Sequence, residues 1–208
     1  MKKEIATFLF LIDISGSMHG QKISSVNAAL TESMEVLKNK KETYHREVKV
    51  GFLTFSDKMD SIIWCDQLVS PSFSVEPNED GFYSITSYKC LYDGLYHFLI
   101  SSDDLGDLYI ILITDGKTTE KRREYDESFE RANSLDSFRC ANRYAAIVDL
   151  DIDKGLANNI ADNDILEFLS GNDAKKRFTL VNLSKEISKM DFFEDNEKSK
   201  IASIFGKG

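Results

Sequence analysis

Phe8-Leu9-Phe10-Leu11-Ile12-Asp13-Ile14-Ser15-Gly16-Ser17-Met18 is an apolar run that stops in a carboxylate, two hydroxyls and a glycine. A short continuous apolar segment is the signature of a strand buried on both faces, and such strands belong to parallel sheets covered by helices. Polar residues at the strand's end then lie at the carboxyl edge of the sheet, where α/β proteins bind ligands. A second run, Leu108-Tyr109-Ile110-Ile111-Leu112-Ile113, breaks in the same way into Thr114-Asp115-Gly116. The two strand ends can therefore share one crevice although about a hundred residues separate them in sequence.

Between and beyond these strands the pattern alternates. Gly20 to Asn39 places Ile23, Val26, Leu30, Met34 and Leu37 on one helical face,. Val48 to Phe55 reads as a strand, and Ser56 to Asp60 turns the chain into Ile62-Ile63-Trp64, an antiparallel edge partner,. Pro71 to Tyr88 holds both prolines and no periodicity, which marks a long loop of the kind that is often functional,. Helical spacing returns from Cys90 to Ile100, and a charged segment from Glu120 to Glu130 continues as a helix towards Phe138. Tyr144 to Val148 is another buried strand, followed by a helix around Leu156 to Ser170, a short strand from Arg177 to Val181 and a helical region from Ser184 to Phe205. The expected fold is α/β, a Rossmann-like doubly wound and mainly parallel sheet with one antiparallel edge strand and helices on both faces. It forms a single domain over residues 1–208,.

A net charge of -9 repels a phosphate backbone, so nucleic acid is not an expected partner. No run approaches the roughly 18 apolar residues of a membrane span. Met1-Lys2-Lys3 is basic, but the apolar run after it contains Asp13 and lacks a small-residue cleavage site, so the expected location is the cytoplasm,. Cys65, Cys90 and Cys140 are odd in number and widely spaced, which fits buried thiols rather than disulfides or zinc ligands,. His19, His45 and His97 are likewise scattered. Asp149, Asp151, Asp153 and Gly155 approach a calcium-loop pattern, but the glycine falls one place late and Ile160 stands where the bidentate Glu belongs,.

Asp13, Ser15 and Ser17 present a carboxylate and two hydroxyls from one tight turn, with Gly16 relieving the backbone, and Asp115 supplies a second carboxylate. Hard oxygen donors of this kind suit Mg²⁺. The alternative is that a serine caps the following helix while Asp13 accepts backbone N–H groups at its positive end.

Asp13-Ile14-Ser15-Gly16-Ser17-Met18 and Ile113-Thr114-Asp115-Gly116 resemble the metal-ion-dependent adhesion site (MIDAS) of von Willebrand factor A (VWA) domains. Among these, the short bacterial intracellular type associated with tellurium resistance and with stress or phage-defence clusters is most similar. The resemblance implies a non-enzymatic protein-interaction module. Its Mg²⁺ or Mn²⁺ would be surrounded by Asp13, Ser15 and Ser17 and reached by Asp115, with a partner's carboxylate completing the shell. It also implies a threonine ligand five positions before the Gly94-Leu95 step, and that count lands on Lys89, with Thr86 and Ser87 close by. An ammonium about 4 Å from a divalent cation costs about 8 kcal/mol at an effective dielectric near 20. Three arrangements meet that constraint: a hydroxyl of Thr86 or Ser87 fills in, Lys89 turns towards an acidic loop residue, or its ammonium replaces the cation between Asp13 and Asp115 in a metal-free scaffold. His19, next to the loop, and the basic stretch Lys117 to Arg123 are candidates for contact with an acidic partner. A Mg²⁺-dependent phosphohydrolase of the haloacid-dehalogenase type is the competing enzyme reading, with Asp13 as nucleophile. Its chemistry needs a second acid two positions on, where this chain has Ser15.

Overall fold

The computed structural model describes residues 5–44, 47–116, 118, 120–148, 165, 167–169 and 176–190. A six-stranded sheet runs in the order β3-β2-β1-β4-β5-β6. Its strands are β1 (Ile5–Asp13), β2 (Glu47–Phe55), β3 (Ile63–Trp64), β4 (Asp107–Thr114), β5 (Asn142–Ile147) and β6 (Arg177–Thr179). All pairings are parallel except β2 with β3. The helices are α1 (Gln21–Tyr44), α2 (Tyr88–Ser101), α3 (Arg122–Asn133), the short α4 (Asp136–Arg139) and α5 (Leu183–Lys189).

β1 lies at the centre of the sheet, and every residue from Ala6 to Asp13 is buried. Successive side chains on a strand point to opposite faces. Phe8, Phe10 and Ile12 join a core with Val26, Leu30, Met34 and Leu37 of α1 and Ile187 of α5. Leu9 and Leu11 join the opposite core, with Leu91 and Leu95 of α2 and Tyr125 and Phe129 of α3. Each such side chain contributes about 1.5–3 kcal/mol by leaving water, so this strand fixes both helical layers at once. Thr7, its one polar residue before Asp13, is satisfied by donating to the Leu105 carbonyl at 2.5 Å.

Several expected boundaries shift. α1 runs beyond Asn39 to Tyr44, because apolar spacing marks only the part that touches the sheet and the following lysines and glutamate are good helix formers in solvent,. The helix expected to continue to Phe138 instead breaks. Ser134 closes α3 through its N–H to the Glu130 carbonyl (2.9 Å), and Leu135 takes extended dihedrals (φ -81, ψ 129) before α4. That break lets Phe138 enter the core edge-on to Tyr92. β6 ends at Thr179, and Leu180–Asn182 form a 3₁₀ turn where strand was expected. The thiols differ from expectation as well: Cys65 and Cys90 are half-buried and Cys140 is exposed. Burial, followed by the nearby Asp93, Asp57 and Glu120 charges, pushes the Cys90 thiol up to about 11, so it stays protonated at neutral pH. The Asp149 to Asp153 motif, most of the Leu156 to Ser170 helix and the region after Met190 lie outside the described residues.

β3 is a two-residue edge strand with both side chains exposed, and Trp64 leans on Phe98 of α2. A short edge limits pairing with other chains. No helix among the described residues is long and apolar enough to cross a membrane.

Gly106 turns the chain into β4 at φ +60, where an added Cβ would meet the Ile5 carbonyl oxygen at 2.1 Å. Strain and backbone collision act together there. Gly106→Ala is expected to lower the unfolding free energy in a urea titration by about 2 kcal/mol or more.

Candidate functional site

The β1 terminus is built around Asp13, which has 0% exposure. Its Oδ1 accepts the Ser15 N–H at 2.9 Å, which bends the chain out of the strand,. Its Oδ2 accepts the Thr114 hydroxyl at 2.7 Å and lies 3.1 Å from Thr86 Oγ1. All three donors are neutral. Burial, with the Asp115 charge adding to it, raises the Asp13 carboxyl above its ordinary range despite the hydrogen bonds from Thr114 and Ser15,.

From Asp13 the polar groups form a continuous chain. Thr86 Oγ1 is 2.8 Å from Ser15 Oγ, Ser15 Oγ is 3.3 Å from Ser17 Oγ, and Ser17 Oγ donates to Asp115 Oδ1 at 3.0 Å. Met18, fully buried at the end of the 3₁₀ turn Gly16–Met18, plugs this loop into the core beneath it. Gly16 donates its N–H to the Ser84 carbonyl at 2.8 Å, and a Cβ there would sit 2.3 Å from Tyr83 Cβ. The glycine is therefore needed for room: it lets the long loop close over the turn, whereas the sequence suggested relief of backbone strain.

The loop expected over Pro71 to Tyr88 is anchored from beneath by buried Phe73 and Val75 and ends at Ser87, the N-cap of α2. Its last residues are wired to the segment after β4. Thr118 donates to the Thr86 carbonyl at 3.0 Å. Glu120 accepts the Ser87 hydroxyl at 2.6 Å, the Tyr88 N–H at 2.6 Å and the Lys89 N–H at 3.2 Å. A carboxylate there satisfies orphan donors at the positive end of the helix.

Thr86, not Lys89, is thus the loop residue that the fold brings to Asp13. Lys89 lies in the first turn of α2 with its side chain 56% exposed, and its ammonium pairs with Asp93 at 2.6 Å. The arrangement with that ammonium between Asp13 and Asp115 is not the one found. The count from Gly94 lands inside α2, which begins at Tyr88, so it selects a helical residue and not one of the entering loop. Burial works against ionising Asp93, but Lys89, Ser128 and Arg131 together hold its carboxyl below the ordinary range. His19 is exposed and packs against Tyr83, ring centroids 5.1 Å apart. Lys117 lies outside the described residues.

Three further contributors were not legible as site residues. Thr114 follows Ile113, the register partner of Ile12, and so falls beside Asp13. Glu120 acts through the α2 N-terminus. Lys22, in the first turn of α1, pairs with Asp115 Oδ2 at 2.5 Å, the two side chains being 14% and 2% exposed. Only the Ile-Thr-Asp-Gly context hinted at Thr114; no sequence signal marked the other two.

The donors Asp13, Ser15, Ser17, Thr86 and Asp115 are hard oxygens of the kind Mg²⁺ and Mn²⁺ accept, and they converge at one sheet edge. No group of three or more His, Cys, Asp or Glu able to hold a metal occurs among the described residues. The five donors comprise two carboxylates, Asp13 and Asp115, and three hydroxyls.

No protein-family model matches the chain, and no curated protein matches it by sequence. Solved structures do resemble it. BatB, a conserved hypothetical protein from Bacteroides thetaiotaomicron, superposes with a TM-score of 0.56 at 16% identity, covering 95% of this chain and 99% of that one. The open conformation of the pilus adhesin SpaC from Lactobacillus rhamnosus GG gives 0.58 at 12% identity, covering 99% of this chain and 31% of SpaC. A von Willebrand factor type A protein from Catenulispora acidiphila gives 0.53 at 12% identity, covering 90% of this chain and 42% of that one. At such identities the likeness is one of architecture. The chain has the fold of a von Willebrand factor A domain.

Glu120→Ala is expected to cost about 1–3 kcal/mol in urea unfolding, since buried amide and hydroxyl donors lose their acceptor. Lys89→Ala, which breaks an exposed pair, should cost under about 1 kcal/mol. A second expectation concerns pH. The folded chain keeps the Asp13 proton to higher pH than the unfolded chain, so between the two pKa values the native state binds more protons and stability falls as pH rises. Thermal melts in chelator-treated buffer should show that decline as pH rises above the ordinary carboxylate range, and Asp13→Asn should flatten it.

Proposed function

We propose that this chain is a non-enzymatic protein-interaction module. On this reading its sheet edge holds Mg²⁺ or Mn²⁺ through Asp13, Ser15, Ser17 and Thr86, with Asp115 behind them, and the partner supplies a carboxylate to the cation. The observation that carries it is the Asp13 cluster. A carboxylate fully withdrawn from water, with only neutral donors on its oxygens and its proton held above the usual range, is a place where positive charge is missing,. A cation held mainly by hydroxyls stays under-neutralised, and an incoming carboxylate meets that need.

The surroundings suit a macromolecular partner. Phe82, Tyr83 and Ile85 are 71%, 42% and 53% exposed on the loop that leads into Thr86, and His19 packs against Tyr83. Aromatic side chains beside a charged centre are typical anchors of interfaces. Among proteins of similar fold, SpaC is an adhesin. On the same reading the partner belongs to a cytoplasmic bacterial stress-response or phage-defence system, as the resemblance of the two motifs implies. The phosphohydrolase alternative gains nothing from the geometry: Ser15 stands where the second acid is needed,.

Two measurements test the proposal. Titration calorimetry with Mg²⁺ and Mn²⁺ should give binding in the wild type and none in Asp13→Ala, whose circular dichroism should stay native-like. A pull-down with tagged wild type as bait should retain a protein that EDTA or Asp13→Ala releases. Equal retention by both baits would refute the interaction role, and absence of binding of either ion by the wild type would refute the metal site.

A further inference from the structure

Asp115 already has a cation of the chain's own. Lys22 Nζ lies 2.5 Å from Asp115 Oδ2, with only 14% of the lysine side chain and 2% of the aspartate side chain exposed. The other oxygen of the same carboxylate, Oδ1, accepts the Ser17 hydroxyl at 3.0 Å. One carboxylate thus joins the ammonium to the hydroxyl chain that runs through Ser15 and Thr86 to Asp13.

The place of Lys22 on its helix points the same way. α1 is 24 residues long, has no acidic residue in its first turn and carries Lys22 there instead. A cation at that end opposes the helix dipole, whose amino end favours negative charge. An exposed lysine in such a turn would turn outwards into water. Lys22 folds back and is largely covered, so its attraction to Asp115 outweighs both the dipole and the loss of hydration.

We propose that Lys22 is a resident counter-ion of Asp115 that competes with the divalent cation, and so sets the cation affinity of the site. This rests on the metal site proposed above. In the metal-free protein the ammonium neutralises one of the two carboxylates, and Asp13 keeps only its neutral donors, two hydroxyls and the Ser15 amide. When a divalent cation enters, its charge and that of Lys22 repel, and the lysine must loosen its hold on Asp115. The site therefore takes metal less tightly than its oxygens alone would allow. Its occupancy follows the free Mg²⁺ or Mn²⁺ concentration and the arrival of a partner carboxylate, which restores the balance of charge.

The test compares Mg²⁺ and Mn²⁺ titrations of wild type, Lys22→Met and Lys38→Met. Lys38 is an exposed residue further along the same helix, so its variant removes an equal charge away from the site. Lys22→Met should bind both ions about tenfold more tightly than wild type, a difference of about 1.4 kcal/mol, while Lys38→Met stays unchanged. A readout without substitution accompanies it: acylation of Lys22 in the wild type by an N-hydroxysuccinimide ester, followed by peptide mass spectrometry, should increase when saturating Mg²⁺ is added. Unchanged or weaker binding in Lys22→Met, an equal gain in Lys38→Met, or Lys22 labelling that ignores the metal overturns the competition while leaving the metal site intact. Failure of all three proteins to bind either ion overturns both.

Discussion

Asp13 ends a strand that is buried along almost its whole length, and its carboxylate is withdrawn from water with it. Such a group is tolerated only when its oxygens are satisfied and its charge is either shed or compensated. The loops at this edge of the sheet are arranged to meet that demand. The Ser15 amide turns back onto one oxygen, while Thr114 on the neighbouring strand and Thr86 at the end of the long loop approach the other. Three segments far apart in sequence are held together because one buried oxygen pair needs them all.

The two carboxylates of the site live under different rules. Asp13 is surrounded by neutral hydroxyls and an amide, and burial pushes its proton affinity up. Asp115 faces the Lys22 ammonium on one side and the Ser17 hydroxyl on the other. Asp115 is thus paired with a cation of the chain, whereas Asp13 meets only neutral donors. The exposed ring and branched side chains of Phe82, Tyr83 and Ile85 stand on the loop that delivers Thr86, so apolar contact area and the polar centre belong to one continuous face.

A carboxylate outside the Asp13 cluster ties this face together. Glu120 gathers the Ser87 hydroxyl and two amides of α2, and Thr118 holds the Thr86 carbonyl. Thr118 and Glu120 after β4 are thus tied by hydrogen bonds to the end of the loop before α2 and to the first turn of that helix. Below them, Met18 and Gly16 lock the first turn to the core and to Tyr83. For the cation site proposed above such support matters, because hydroxyls bind a cation only weakly unless they are already in place.

The sequence alone determined the class of fold and half of the site. Apolar runs ending in Asp13 and Thr114-Asp115 read as buried parallel strands, and strand ends in such a sheet share an edge, so Asp13, Ser15, Ser17 and Asp115 were legible from pattern and spacing,. Counting could not place the loop residue opposite them. A loop's path depends on where its anchors pack, and here buried Phe73 and Val75, together with an early start to α2, bring in Thr86 and send Lys89 outwards to Asp93. Nor could it find Lys22 or Glu120. Their roles arise from charges brought together across tertiary distance, about 90 residues apart in the case of Lys22 and Asp115, and electrostatic partnership of that kind leaves no periodicity in the chain.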